Sequence, residues 1–283
     1  ALSSLQVASL NSTWVTALTT SQIQAIETQD LAALKSAPLA ALGTDQIEAL
    51  TTAQAAALRS TQLAVLTTEQ VQAIATDDLA VLSSTQLGGL RTDQIAALTT
   101  DQVDAMTTAQ AAALRTTQLA ALGTAQVQAI GTDDIAALTT AQVAGMGSAQ
   151  LTALTTDQVQ ALETQDVAAI RTSVISTLGT DQIEALTTAQ AAALKSTQLA
   201  ALTTEQVQAM GTDDIAALTT GQVLGLTTAQ IAALTTNQVD ALTTAQAAVL
   251  KTSQLAALDT AQVRAIGTDD LAALTSAQLA GMG

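Results

Sequence analysis

Four adjacent acidic pairs are the residues best suited to chemistry: Asp77-Asp78, Asp133-Asp134, Asp213-Asp214 and Asp269-Asp270. Carboxylates are hard oxygen donors, so the chemistry on offer is calcium binding. A carboxylate with a shifted pKa in a pocket could also act as a general acid or base. All four pairs recur at one place in a repeating unit, at a predicted helix start, where the positive end of the helix already favours negative charge. Backbone N–H groups point into that spot and disfavour a cation. The chain has no His, Cys, Tyr or Phe and no Lys cluster. Ser alternates with Thr at a single position of the unit, which marks it as a cap and not a nucleophile. No phosphate-loop, dinucleotide or HExxH pattern is present. The expectation is no enzyme and no cofactor, with the eight aspartates as weak calcium candidates.

The elements that position these residues come from an eight-residue unit. Leu66-Thr67-Thr68-Glu69-Gln70-Val71-Gln72-Ala73 shows it, with positions labelled a to h. The frame runs from Leu2 to Gly281 without insertion or deletion, giving 35 octads. Position a is Leu, Ile or Met, c is Thr or Ser, and f is aliphatic. Position e is Gln or Asp except at Trp14, Pro38 and Val174, and h is mostly Ala or Gly. Such internal repetition decides the fold before anything else does.

The octad does not alternate as a strand should, and runs such as Gln-Ala-Ala-Ala-Leu are good helix formers. The pattern predicts a helix of about six residues, from d to the next a, with a turn at b and c. Thr or Ser at c is read as the N-cap, as at Thr44, Thr68, Thr76, Thr132, Thr212 and Thr268. Acidic residues then occupy the first turn. Seven of the eight basic residues lie at b, beside the negative end of the preceding helix. Gly43, Gly123, Gly131, Gly147, Gly179, Gly211 and Gly267 also lie at b, where a left-handed terminating residue is expected. Pro38 falls inside a first turn, where its missing N–H costs little. So short a helix is marginal alone, but stacked copies can share a core of a, f and h side chains. The fold class predicted is all-α, a narrow α-solenoid with about three octads per coil. The strictness of e predicts Gln amides bonded to turn backbone of neighbouring coils as a ladder.

Residues 1–283 read as a single uninterrupted array, with 42–177 duplicated onto 178–281 at an offset of 136 residues. The degenerate octad Ile170–Thr177 precedes the second copy and reads as a seam or a slight bend. The chain starts at Ala1 rather than Met, which predicts a mature or excerpted segment. Its core must be aliphatic, since 48 % of residues are hydrophobic yet Phe and Tyr are missing. Polar b, c and e positions interrupt every apolar run, so no membrane span of roughly 20 residues is expected. A net charge of −16 argues against nucleic acid, whose phosphates need cations. Without Cys there is no disulfide framework.

Two families resemble parts of this pattern. Leu66–Thr76 resembles the opening of a TAL-effector repeat, but this unit closes after eight residues, so only the helix-start chemistry carries over. The whole array resembles the LTTxQ-type octads of very long secreted or surface proteins of Gram-negative bacteria. That resemblance implies an extracellular or cell-surface structural or adhesive protein. The last octad, Leu274–Gly281, looks internal, so the C-terminal coil is expected to expose apolar a and f side chains to another copy. The function expected is a structural repeat protein whose partner is itself, polymerised head to tail into a filament, stalk, or biofilm-matrix or surface-layer component. The alternative is a scaffold that binds a protein, glycan or cation through exposed b, d and g positions. A third reading is surface adsorption through a ladder of b-position Thr such as Thr51, Thr67, Thr99 and Thr107. Trp14 reads as a packing variant, or as a contact residue at one end.

Overall fold

The computed structural model describes residues 3–282; Ala1, Leu2 and Gly283, including the first a position at Leu2, lie outside the described residues. Among the described residues there are 35 short helices, numbered α1 to α35 in chain order, and no strand. Each octad contributes one helix of four to six residues, from α1 (Ser4–Ser9) to α35 (Ser276–Ala280). The chain is all-helical.

The helices divide into two compact units, Ala1–Met146 and Gly147–Gly283. Within the first, α7 (Thr52–Ala57) packs on α4 (Thr28–Leu31) and carries α10 (Thr76–Ala80). Within the second, α24 (Thr188–Ala193) sits between α21 (Thr164–Val167) and α27 (Thr212–Ala217) in the same way. A helix therefore rests on the one three octads earlier, and three octads close one coil. Each unit is a narrow solenoid.

The helices start one residue earlier than the sequence reading placed them. Thr67 is extended, with φ −74° and ψ 166°, and its hydroxyl caps the helix Thr68–Gln72. Thr44, Thr68, Thr76, Thr132, Thr212 and Thr268 are thus first helical residues, and the N-caps are Gly43, Thr67, Ala75, Gly131, Gly211 and Gly267. The reason is the capping box, which needs Gln at the third helical position. Only a cap at b puts Gln at e there. The expectation of left-handed glycines at b also fails. No described residue has positive φ, and Gly43 has φ −72° and ψ 159°. The corner is made by two extended residues, as at Leu58 and Arg59, and the last helical turn tightens into an i to i+3 bond, as from Leu58 N–H to the Ala55 carbonyl.

Positions a and f fill each unit's core. Leu63, Leu66, Val71 and Leu79 are fully enclosed, as are Ile183 and Leu199 in the second unit. Burying such a side chain contributes roughly 1.5–3 kcal/mol, which offsets the ordering of helices that could not persist alone. Position h must be small because it lies over a c residue of the coil beneath; at Gly145 an added Cβ would collide with the Thr116 methyl group.

Candidate functional site

The arrangement repeated at the corners that carry Gln at e is an amide clamp. The Gln54 side-chain oxygen accepts the Thr51 N–H at 2.9 Å, and the Thr51 hydroxyl accepts the Gln54 N–H at 3.3 Å. The amide nitrogen reaches down, donating to the carbonyls of Ile23 at 2.8 Å, Gln24 at 3.3 Å and Ile26 at 2.7 Å. One buried side chain thus satisfies an unpaired donor at its own helix start and unpaired acceptors at the end of a helix four octads earlier. Both kinds of group would otherwise be orphaned. Gln102 repeats the clamp on Val71, Gln72 and Ile74, and Gln190 on Val159, Gln160 and Leu162. The ladder expected from the strictness of e is present in both units.

The basic residues at b also reach down rather than back. Arg115 Nη2 donates to the Leu90 carbonyl and Lys251 Nζ to the Leu224 carbonyl, both at 2.9 Å. They serve helix ends in the coil beneath, not the immediately preceding helix. No sequence signal short of the coil period distinguishes the two. The Arg91–Asp93 ion pair, at 2.9 Å, is exposed on both sides and contributes little.

The acidic pairs are pulled apart. Asp77, Asp133, Asp213 and Asp269 at d face solvent, whereas Asp78, Asp134, Asp214 and Asp270 at e are buried in place of Gln. The two carboxylates of a pair therefore do not chelate together, and among the described residues no three His, Cys, Asp or Glu side chains converge on a metal position. Burial pushes the Asp78 carboxyl above its ordinary range; Asp77 adds repulsion and a hydrogen bond with Thr52 opposes both. Burial does the same at Asp134, with Thr108 opposing and Asp133 and Asp104 adding repulsion. Asp270 accepts the Thr244 hydroxyl at 2.7 Å, and Asp214 accepts the Gly211 N–H at 3.1 Å. The exposed Glu69 lies below its usual range, held there by a backbone N–H and by the Thr67 and Thr68 hydroxyls.

Two open notches recur at the duplication offset. One, of about 420 Å³, is bounded by Thr16, Thr19, Thr20, Gly43, Thr44 and Asp45. The other, of about 470 Å³, is bounded by Thr152, Thr155, Thr156, Gly179, Thr180 and Asp181. Each forms where glycine at b leaves a gap in a column of threonines. Trp14 is 65 % exposed on the outside of the first coil. At the degenerate octad Val174 is buried where Gln would clamp, and the Thr177 hydroxyl closes on the Val174 carbonyl at 2.7 Å.

The ALTTAQ repeat model matches residues 23–60, 71–108, 127–164, 159–196, 192–220, 220–252 and 247–283. The chain belongs to the ALTTAQ repeat family. No curated protein matches it. In this ALTTAQ array the six-residue name spells a corner: Ala185-Leu186-Thr187-Thr188-Ala189-Gln190 runs from small h through core a, the cap at b and the first helical residue at c to the clamp at e. No helix of the described ALTTAQ array is long and apolar enough to cross a membrane.

Proposed function

We propose that this chain is a non-enzymatic structural protein of the cell surface or extracellular space that adds copies of itself end to end, forming a filament, stalk, or matrix or surface layer. The observation that carries this is the clamp. Within each unit, coil junctions join Gln donors above to helix-end carbonyls below, as Gln102 above meets Val71, Gln72 and Ile74 below. The contact recurs from coil to coil, so a coil of a second copy can be taken up in the way a coil of the same chain is. Contacts of this head-to-tail kind propagate. Electron microscopy of purified protein should show elongated polymers, and Trp14 emission should shift to the blue as concentration rises. Monodisperse particles with unchanged emission up to high concentration would refute the reading.

The notches favour a second reading, a scaffold that binds a protein or glycan through exposed positions. It predicts saturable binding lost on Asp45→Ala together with Asp181→Ala, with the circular dichroism spectrum unchanged.

A further inference from the structure

The clamp works because a Gln side chain is acceptor and donor at once. The Gln54 oxygen accepts the Thr51 N–H while its nitrogen donates to the carbonyls of Ile23, Gln24 and Ile26. An ionised Asp in the same place keeps the acceptor and has no proton to give. At Asp78 and Asp134 in the first unit Asp stands for Gln, and both side chains are buried, at 4 % and 7 % exposure. The clamp spacing sets the carbonyls of Ile47, Glu48 and Leu50 opposite Asp78, and those of Val103, Asp104 and Met106 opposite Asp134. Asp104 is close enough to repel Asp134, in keeping with that register. Helix-end carbonyls in a buried joint need a donor, and going without one is costly.

The titratable groups on the helices packed around these two carboxylates are all acidic. Asp78 shares α10 (Thr76–Ala80) with Asp77. That helix packs on α7 (Thr52–Ala57), which has no titratable residue, and on α13 (Thr100–Asp104), which has Asp101 and Asp104. The helix end opposite Asp78 belongs to α6 (Thr44–Glu48), with Asp45 and Glu48. Asp134 shares α17 (Thr132–Ala136) with Asp133. That helix packs on α14 (Thr108–Ala113), again without a titratable residue, and the helix end opposite Asp134 is that of α13. No Lys or Arg lies on any of these helices. Burial and neighbouring carboxylates therefore oppose the charged form, and one hydroxyl each, from Thr52 and Thr108, favours it.

We propose that Asp78 and Asp134 are proton-operated joints between coils, tied in mild acid and untied at neutral pH. A proton taken from solvent turns each carboxylate into a carboxylic acid. Its O–H then donates to the helix-end carbonyls, as the Gln amide does at other corners. Both folded values are raised, chiefly by burial, so the folded chain takes up these protons before the unfolded chain does. The gain in stability therefore appears as pH falls through the raised folded values and is complete below the unfolded value, near pH 4. The inference does not depend on self-assembly, since both joints lie within the first unit.

The test is amide hydrogen exchange of the full 283-residue chain at about pH 7 and about pH 5, expressed as protection relative to the unfolded chain. Acid should raise the protection of Leu50 and Leu79 at the first joint, and of Met106 and Ile135 at the second, severalfold. Ile26 and Ala55, at the Gln54 clamp, should stay level. The variant Asp78→Gln/Asp134→Gln places an amide in each joint, so it should be protected at both pH values and lose the acid response. Asp77→Asn removes one repelling charge and should move the Asp78 response to lower pH. Carboxyl-carbon NMR of the unaltered chain follows the two protonations directly, which keeps the test decisive should a variant misfold; Asp78 and Asp134 should titrate above the exposed aspartates. Equal gains at the Asp and Gln joints, an acid response retained in Asp78→Gln/Asp134→Gln, or titration of both carboxyls together with the exposed aspartates would overturn the proposal.

Discussion

At the scale of single residues, two neighbouring threonines have different jobs. Thr67 caps its helix and Thr68 begins it. Thr67→Ala should lower stability by about 0.5–2 kcal/mol, and Thr68→Ala by clearly less, measured as urea midpoints of the two variants. An equal loss would return the cap to c. The cap was readable from Thr67-x-x-Gln70, the capping-box spacing. It was obscured because two threonines stand side by side and either hydroxyl suits a helix start. Asp78 gives a pH prediction. Its folded pKa is raised, chiefly by burial, so its charged form destabilises the fold, and that penalty disappears as pH falls through the folded value. In metal-free buffer Asp78→Asn should raise the melting temperature at neutral pH. The advantage should vanish below the unfolded value, near pH 4. An advantage that persists in acid would show that the carboxylate's charge is not the cause.

At the scale of the helix, glycine marks opposite needs. Gly145 lies where a coil presses on Thr116, whereas a Cβ on Gly221 would meet nothing closer than 4.0 Å. Gly145→Ala should cost about 1–3 kcal/mol through overpacking, and Gly221→Ala should gain about 0.5–1 kcal/mol of helix propensity. Melts of both variants check the pair, and the same sign for both would contradict the packing. The helices, their period and the buried a and f faces were readable from composition and spacing, because apolar side chains three apart share a face. The partner of each clamp was not. The sequence shows that e is constrained, yet only the coil period turns that constraint into the pairing of Gln54 with Ile23 and Ile26. The downward reach of Arg115 and the separation of Asp77 from Asp78 were hidden for the same reason.

At the scale of the whole molecule, stability resides in nearest-neighbour junctions, so unfolding need not be all-or-none. Deleting one octad, residues 66–73, leaves every later octad in the same frame and should yield a folded protein with a nearly unchanged helical spectrum. Deleting residues 66–69 places Gln70, Asp78 and Gln86 where Leu belongs and should melt the flanking coils. Circular dichroism of the two deletions tests this, and comparable damage from both would mean that the octads are not equivalent modules.

The three corners of a coil also bear on force. Within a unit, tension along the stacking direction pulls on the amide-to-carbonyl links of all three corners together, so they share the load instead of failing one by one. Where Asp214 or Asp270 stands in place of Gln, one strut is missing. The second unit stretched by an optical trap should therefore yield first at a coil that carries one of these aspartates, which makes that aspartate its mechanical fuse.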